Sequence, residues 1–492
     1  MLFLLSRREL LALTLLFLLS LPAVTTRLYS SDEVQYFSYL RSLYFDGDVS
    51  FENEYRYFYE RNIAQSAGFH ETFLERQTNA GRRVNYATMG CAILWLPFYA
   101  VADGIVRTTG IAEADGFSKP YVRAVAYGSA FYGFLAVLLS IRAARVAAAR
   151  GSLFAVRGAG PGDRATFWAG VAVWFGTPLL FYMYIAPPFS HACSAFGVAL
   201  FVNVWLHVRR QWSAHGTFAL GVCAALLALI REQDVFVALG PVVDFALATT
   251  IPHLKVHTAN GLRGLHGFTV VGAGVGGFAA GYLPQLLAYN ALNGYPGPAS
   301  HVARKMYWYA PHGLQVLLSP NHGFFFWTPL AVLGIAGLIM LAIRKSDESR
   351  RVGVASLVMV ASQVYVAGSV ASWTVAGAFG QRRFVCLTVV LVIGLGVLFS
   401  AGGDSKRVAA QSGRARPEGR AYWVPAVGAL CVWWNMALIF QFATGMMDRQ
   451  RLEPGRNVYN AFVRVPLEAP SLVYRYLTDR ESFYRPPSAR TP

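Results

Sequence analysis

Apolar runs long enough to cross a bilayer as helices, about twenty residues each, recur along the whole chain, and short polar segments rich in arginine separate them. Lipid leaves no exposed backbone polar group satisfied, so each run is expected to be a helix. The runs are residues 10–25, 122–141, 166–184, 192–206, 217–230, 235–250, 268–289, 324–343, 352–369, 384–401 and 424–442. They predict an all-α polytopic membrane protein with about eleven spans. Residues 87–106 are apolar too but hold Pro97 and Asp103. If they spanned, the arginines at 142, 145, 150, 157 and 164 would fall outside, so a helix lying along the outer surface is expected instead.

Between the first two runs lies a polar region of roughly ninety residues, long for a loop. Within it, Ser30 to Tyr44 carries helix signals: Ser30 followed by Glu33 fits a capping box. Val34, Phe37, Leu40 and Tyr44 share one face at helical spacing. An amphipathic surface helix is expected. The chain divides into a first span (1–26), an outer loop with juxtamembrane helices (27–121), a transmembrane module (122–290), C-terminal spans with outer loops (291–443) and an extracytoplasmic tail (444–492).

Composition supports this division. The 492 residues are 55% hydrophobic and 14% charged, against about 25% charged in soluble proteins. The net charge of +17 comes from arginines clustered in short loops, the distribution of cytoplasmic loops. No basic face with interleaved aromatics marks a nucleic-acid partner. With Arg7 and Arg8 inside, residues 27–121 lie outside, where twelve acids outnumber nine Lys and Arg. The C-terminal tail is placed outside as well, although it is rich in arginine. Five cysteines fall in apolar segments without CxxC spacing, the pattern of buried free thiols. Neither a P-loop nor a GxGxxG fingerprint after a strand is present, which argues against nucleotide-driven work. Alanine, arginine and glycine enrichment points to a bacterial plasma (inner) membrane.

The candidate chemistry collects on the outer side. Asp32 and Glu33 either stabilise the first turn of their helix, or one of them deprotonates an acceptor hydroxyl. Asp46, Asp48, Glu52 and Glu54 are either a solvated acidic loop or oxygen ligands for a divalent cation. Arg123, Arg231, Arg304, Lys305, Arg382 and Arg383 are the outer cations. Of these, Arg231 in Ile-Arg-Glu-Gln-Asp is either a phosphate contact or the partner of Glu232 or Asp234. The pair Arg382-Arg383 suits phosphate, with Trp373 as an aromatic platform nearby, or a lipid headgroup. The aromatic segment 307–327 is a substrate groove or an interfacial belt.

Three stretches, Ser31-Asp32-Glu33, Asn85-Tyr86-Ala87 to Pro97-Phe98-Tyr99, and Gly176-Thr177-Pro178 to Ser190-His191-Ala192, carry a resemblance. The order resembles the GT-C superfamily of integral membrane glycosyltransferases, which includes protein O-mannosyltransferases and aminoarabinose transferases, over about residues 7–245. The resemblance implies a GT-C-like fold and transfer of a sugar from a polyprenyl-phosphate donor to a glycan, lipid or protein acceptor on the outer face. It implies Asp32 as general base with Glu33 beside it, and substrate contacts from Tyr86, His191, Arg123, Arg231, Arg382 and Arg383. Where many relatives carry an acid after the next outward span, this chain has Pro187-Pro188-Phe189-Ser190-His191, which sets it apart from a metal-bridged mechanism. His191 is a sugar or phosphate contact, or a helix-capping residue. A lipid or solute transporter and a noncatalytic subunit of an envelope complex are the alternatives. Intramembrane acids would mark the transporter, and Asp244 is the best such acid.

Overall fold

A computed structural model describes residues 5–63, 68–149, 161–250, 263–375, 377–412 and 423–483. The expected inner basic positions Arg150, Arg157, Lys255, Arg414, Arg416 and Arg420 lie outside the described residues. The described chain is all-helical apart from two isolated bridges. Its helices are α1 (Arg7–Ser20), α2 (Ser31–Arg41), α3 (Glu52–Glu60), α4 (Gly90–Thr109), α5 (Lys119–Ala149), α6 (Pro161–Gly176), α7 (Leu179–Tyr184), α8 (His191–Val208), α9 (Ala214–Ile230) and α10 (Leu239–Thr250). There follow α11 (Arg263–Asn293), α12 (Ser300–Arg304), α13 (Gly313–Leu318), α14 (Phe324–Trp327), α15 (Leu330–Ala342), α16 (Asp347–Ser369), α17 (Thr388–Ser412), α18 (Trp423–Thr444), α19 (Pro454–Tyr459) and α20 (Val465–Thr478).

Among the described residues, seven helices are long and apolar enough to cross a membrane, beginning at Gly90, Lys119, His191, Gly267, Asp347, Arg382 and Trp423. Six correspond to expected spans, and the seventh is α4, expected along the surface. The other five expected spans are built from shorter pieces. The run 166–184 breaks between α6 and α7 at Thr177-Pro178, because proline cannot donate a helical hydrogen bond. The freed carbonyls of Phe175 and Thr177 accept from the Asn435 side chain at 2.8 and 3.1 Å. The runs 217–230 and 235–250 are separated at Arg231, which is extended at φ −156°, and the second enters through a 3₁₀ turn over Glu232–Ala238. Residues 10–25 form a helix of 14 residues with a 3₁₀ turn, and 324–343 divides at Thr328-Pro329.

Small residues let the long helices pack backbone to backbone. A Cβ on Gly337 would fall 1.8 Å from the carbonyl oxygen of Gly394, and one on Gly221 would fall 2.1 Å from that of Gly274. Such seams suit helices that share an apolar surround and therefore associate by close packing. Apolar side chains also face outward: Leu11, Leu15, Leu18 and Leu19 on α1, and Phe268, Val271 and Val275 on α11. Outward apolar rows of this kind mark a surface covered by lipid or by another protein.

The outer loop folds around its own core. Val34, Phe37 and Leu40 of α2, expected on a membrane surface, are fully buried with Phe51, Tyr55, Phe58, Trp95 and Tyr99. Tyr44 follows them in a wide turn and donates to Asp103 at 3.2 Å. The first turn of α4 is wedged against the end of α9, where a Cβ on Gly90 would meet the Leu229 carbonyl carbon at 2.4 Å. From there α4 runs antiparallel to the start of α5. Trp95 donates to Ser129 at 2.8 Å, and Tyr121 donates to Asp103 at 2.6 Å. The second half of α5 packs instead on α6 and α8, through Ile141 against Gly170 and through Arg142 and Leu139 on Asn203. Most of α4 thus sits beyond the level at which α8 begins.

Charged residues gather at the far end of α5, α6 and α8. Arg145 is held by Glu9 at 2.6 Å and donates to the Asp163 carbonyl at 3.0 Å. Arg209 and Arg351 pair with Asp244 at 2.7 and 3.1 Å. Asp244 is therefore fully engaged at that end.

Candidate active site

At the opposite end a cavity of about 570 Å³ opens where α8, α9, α16 and the turn Arg382–Leu387 all terminate. Asp32, Tyr86, His191, Arg231, Arg382 and Arg383 line it together, although they are spread over some 350 residues of sequence. The structure thus brings together six of the eight residues singled out from the sequence. Glu33 and Arg123 are absent from its lining.

The separation of Asp32 from Glu33 follows from their helix. Successive residues of an α-helix point about 100° apart, so only one of the pair can face the cavity. Ser30 caps α2 and accepts from the Glu33 amide at 3.3 Å, while Glu33 accepts from the Ser30 and Tyr29 amides at 3.0 and 2.9 Å. The Glu33 side chain is fully buried, and one of its oxygens has no partner. Burial, partly countered by those amides, raises its pKa to about 8. A neutral carboxyl at pH 7 that caps its own helix has a structural role.

Asp32 faces the other way, and its carboxylate meets the Arg382 guanidinium at 2.9 Å. Arg382 also lies over the Phe189 ring, 5.4 Å from the centroid. Its neighbour Arg383 is tied to the Ser372 carbonyl and hydroxyl at 2.9 and 3.2 Å. Arg231 Nη1 is 3.1 Å from His191 Nδ1. A guanidinium only donates, so Nδ1 is the acceptor and the ring proton of a neutral imidazole sits on Nε2. His191 is the first residue of α8, and its side chain engages Arg231 rather than capping that helix.

The residue behind Arg231 is Asp234, at 3.9 Å and fully buried, which also accepts from Ser194 at 2.5 Å. Burial raises the Asp234 pKa. Glu232, the other reading for that pair, faces the cavity and accepts from Tyr282 and Tyr289 of α11 at 2.9 and 2.8 Å. Sequence reasoning missed Glu232 as a cavity residue. The signal was present in the two tyrosines seven residues apart, which lie on one face of α11.

Hydrogen bonds to Gln35 of α2, some fifty residues earlier, position Tyr86. Its amide donates to Gln35 Oε1 at 2.8 Å, and Asn85 Nδ2 donates to the Gln35 carbonyl at 3.1 Å. The Asn-Tyr-Ala segment is thereby fixed one turn along α2 from Asp32. Lys305 completes the cationic set, 5.9 Å from the Tyr86 ring centroid.

Several expected features are arranged differently. Trp373 stacks on His312 at 5.4 Å and is no platform in the cavity. The aromatic lining comes from Tyr36, Tyr86, Phe189, Phe236 and Trp308, the last being the one aromatic of the 307–327 segment in it. The acidic loop is held by its own side chains. Asp46 and Glu54 pair with Arg41, Glu52 pairs with Arg56 and Arg83, and Asp48 accepts from Ser42 at 2.8 Å. Among the described residues no three His, Cys, Asp or Glu side chains are grouped to hold a metal ion.

The cavity therefore presents four cations, Arg231, Lys305, Arg382 and Arg383, against two carboxylates, Asp32 and Glu232. Such a balance favours an anionic ligand, and the aromatic walls favour one with sugar or apolar faces. In comparisons with known proteins, no family model matches the chain and no curated protein is similar to it.

Proposed function

We propose that the chain is an integral membrane glycosyltransferase that moves a sugar from a polyprenyl-phosphate donor to an acceptor hydroxyl on the extracytoplasmic face. One observation carries this reading: a single cavity at the helix ends joins a carboxylate, Asp32, paired with Arg382, to two further arginines and a lysine. The charged end formed by Arg145, Arg209 and Arg351 lies opposite the cavity, as positive-inside orientation requires of an outward-facing site. Packing most of α4 beyond the start of α8 favours the surface position for that helix and, with the short helices counted, an eleven-span arrangement of GT-C type.

In the proposed reaction, Asp32 takes the proton of the acceptor hydroxyl as its oxygen bonds to the anomeric carbon. The bond from that carbon to the donor phosphate oxygen breaks, and its electron pair leaves with the lipid phosphate. Arg231, Arg382, Arg383 and Lys305 stabilise the charge that grows on that phosphate. His191 fixes Arg231 at the cavity edge, and its Nε2–H is a donor for a sugar oxygen. A single displacement inverts the anomeric centre. Arg382 pairs with Asp32 at 2.9 Å, so donor phosphate that engages Arg382 releases the carboxylate for the acceptor.

The test is turnover of synthetic polyprenyl-phosphate sugars by the purified full-length protein. Product of inverted configuration, with released polyprenyl phosphate, is the expected result. Retention of configuration would contradict direct attack with Asp32 as base. Flux of the lipid across proteoliposomes without product would favour a transporter.

A further inference from the structure

A second cavity of about 390 Å³ lies against the first, with Tyr86 in the wall of both. The segment 298–305 divides them. Pro298, Val302 and Lys305 face the first cavity, while Ala299, Ser300, His301 and Arg304 face the second. Arg76 enters from the outer loop, its Nη1 3.5 Å from the Tyr86 hydroxyl, and the His301 ring lies 5.8 Å from the Tyr86 ring. Among the described residues no carboxylate lines this space, and Arg76 and Arg304 both face it.

A further group is unexplained by the fold. Asn293 is 2% exposed and lines the cavity; its Nδ2 donates to the Gly297 carbonyl at 2.8 Å, but its Oδ1 has no partner. A buried amide oxygen without a donor costs about 1–3 kcal/mol, and a ligand hydroxyl would supply the missing donor.

We infer that this second cavity is an acceptor subsite for a phosphorylated sugar, with the phosphate between Arg76 and Arg304 and a hydroxyl on Asn293 Oδ1. This inference rests on the donor reading of the first cavity, since among the described residues Tyr86 is the one wall residue common to both and an acceptor must reach the donor past it.

The experiment titrates two ligands separately on the full-length protein in detergent by calorimetry. Hexose 6-phosphate probes the second cavity, with unphosphorylated hexose as its control, and farnesyl phosphate probes the first. Saturable hexose phosphate binding is expected, at least tenfold tighter than hexose. It should weaken at least tenfold in an Arg76→Gln, Arg304→Gln double variant that still binds farnesyl phosphate. Both arginines are exposed, so their replacement leaves the core intact, and retained farnesyl phosphate binding reports a folded protein. Unchanged hexose phosphate binding in the double variant, or no binding at millimolar ligand, would each overturn the subsite. Because the titrations are independent, a protein that binds hexose phosphate as expected but not farnesyl phosphate keeps the second cavity and loses the donor reading.

Discussion

Two adjacent carboxylates end in opposite environments because one helical step separates them. Asp32 meets Arg382 at the cavity, and Glu33 is sealed behind it as the cap of α2. On the proposed reaction, Asp32→Asn lowers turnover by about 10²–10⁴, the range for loss of a general base, at unchanged melting temperature. Normal turnover in that variant would remove Asp32 from the chemistry. Glu33→Gln keeps an oxygen for the cap and should leave turnover within a few-fold. The pH dependence of stability separates the two further. Glu33 titrates near 4.5 when exposed and near 8 when folded. Between these values the folded chain keeps a proton that the unfolded chain releases, so stability falls as pH rises through this window and levels off above 8. Melts from pH 5 to 8.5 should show that decline in the native protein and a flatter profile in Glu33→Gln. Equal slopes would contradict a neutral buried Glu33. The capping box was legible in sequence from Ser30 and Glu33, but which acid faced the cavity was not. That choice depends on how α2 rotates against Phe51, Tyr55 and Tyr99, partners distant in sequence.

The cavity exists because helices end or break at one level: α9 at Arg231, α16 at Ser369, and the chain before α17 at Arg382. The wedge of α4 on α9 sets the position of the outer loop over that level. Gly90→Ala places a methyl group against the Leu229 and Ile230 backbone, and overpacking of this kind costs about 1–3 kcal/mol. Gly104 lies on the same helix with no atom near its added Cβ, so Gly104→Ala should stabilise by about 0.5–1 kcal/mol. Thermal melts of the two variants should therefore move in opposite directions, and a Gly90→Ala protein as stable as the native one would contradict the wedge. Apolar runs in the sequence located the helices well, including the six long spans it shares with the structure. They separated 217–230 from 235–250 at Arg231 but could not show that 166–184 is interrupted, because that break is set by a distant side chain, Asn435, which receives the broken end. Nor could they show that α2 buries its apolar face in the loop's own core, since a helix covered by protein and one covered by lipid carry the same stripe.

Across the whole molecule, the cluster of Arg145, Arg209 and Arg351 and the cavity lie at opposite ends, and the proposed orientation follows from that polarity. Glu113 in the outer loop and Arg350 in the first turn of α16 are both exposed. Four of the five native cysteines are buried and Cys223 is partly so, so a Cys223→Ser background is quiet toward thiol reagents. In intact cells a membrane-impermeant maleimide should label Glu113→Cys and leave Arg350→Cys unlabelled until the membrane is opened. The reverse pattern would put the cavity on the cytoplasmic side and end the extracytoplasmic proposal. The cationic residues of the cavity were legible as candidates, because arginines at span ends are costly unless they serve a partner. Their convergence with Tyr86 and Lys305 was not, because it depends on Gln35 and on the segment 298–305 folding back over the helix ends.

The most direct measurement is an experimental structure of the full-length protein with a polyprenyl phosphate. The account predicts phosphate density in the first cavity, within hydrogen-bonding distance of Arg382 and at least one of Arg231 and Arg383, with the Asp32 carboxylate released from Arg382 toward open space. Phosphate bound away from this cavity, or lying beside it with the Asp32–Arg382 pair undisturbed, would contradict it.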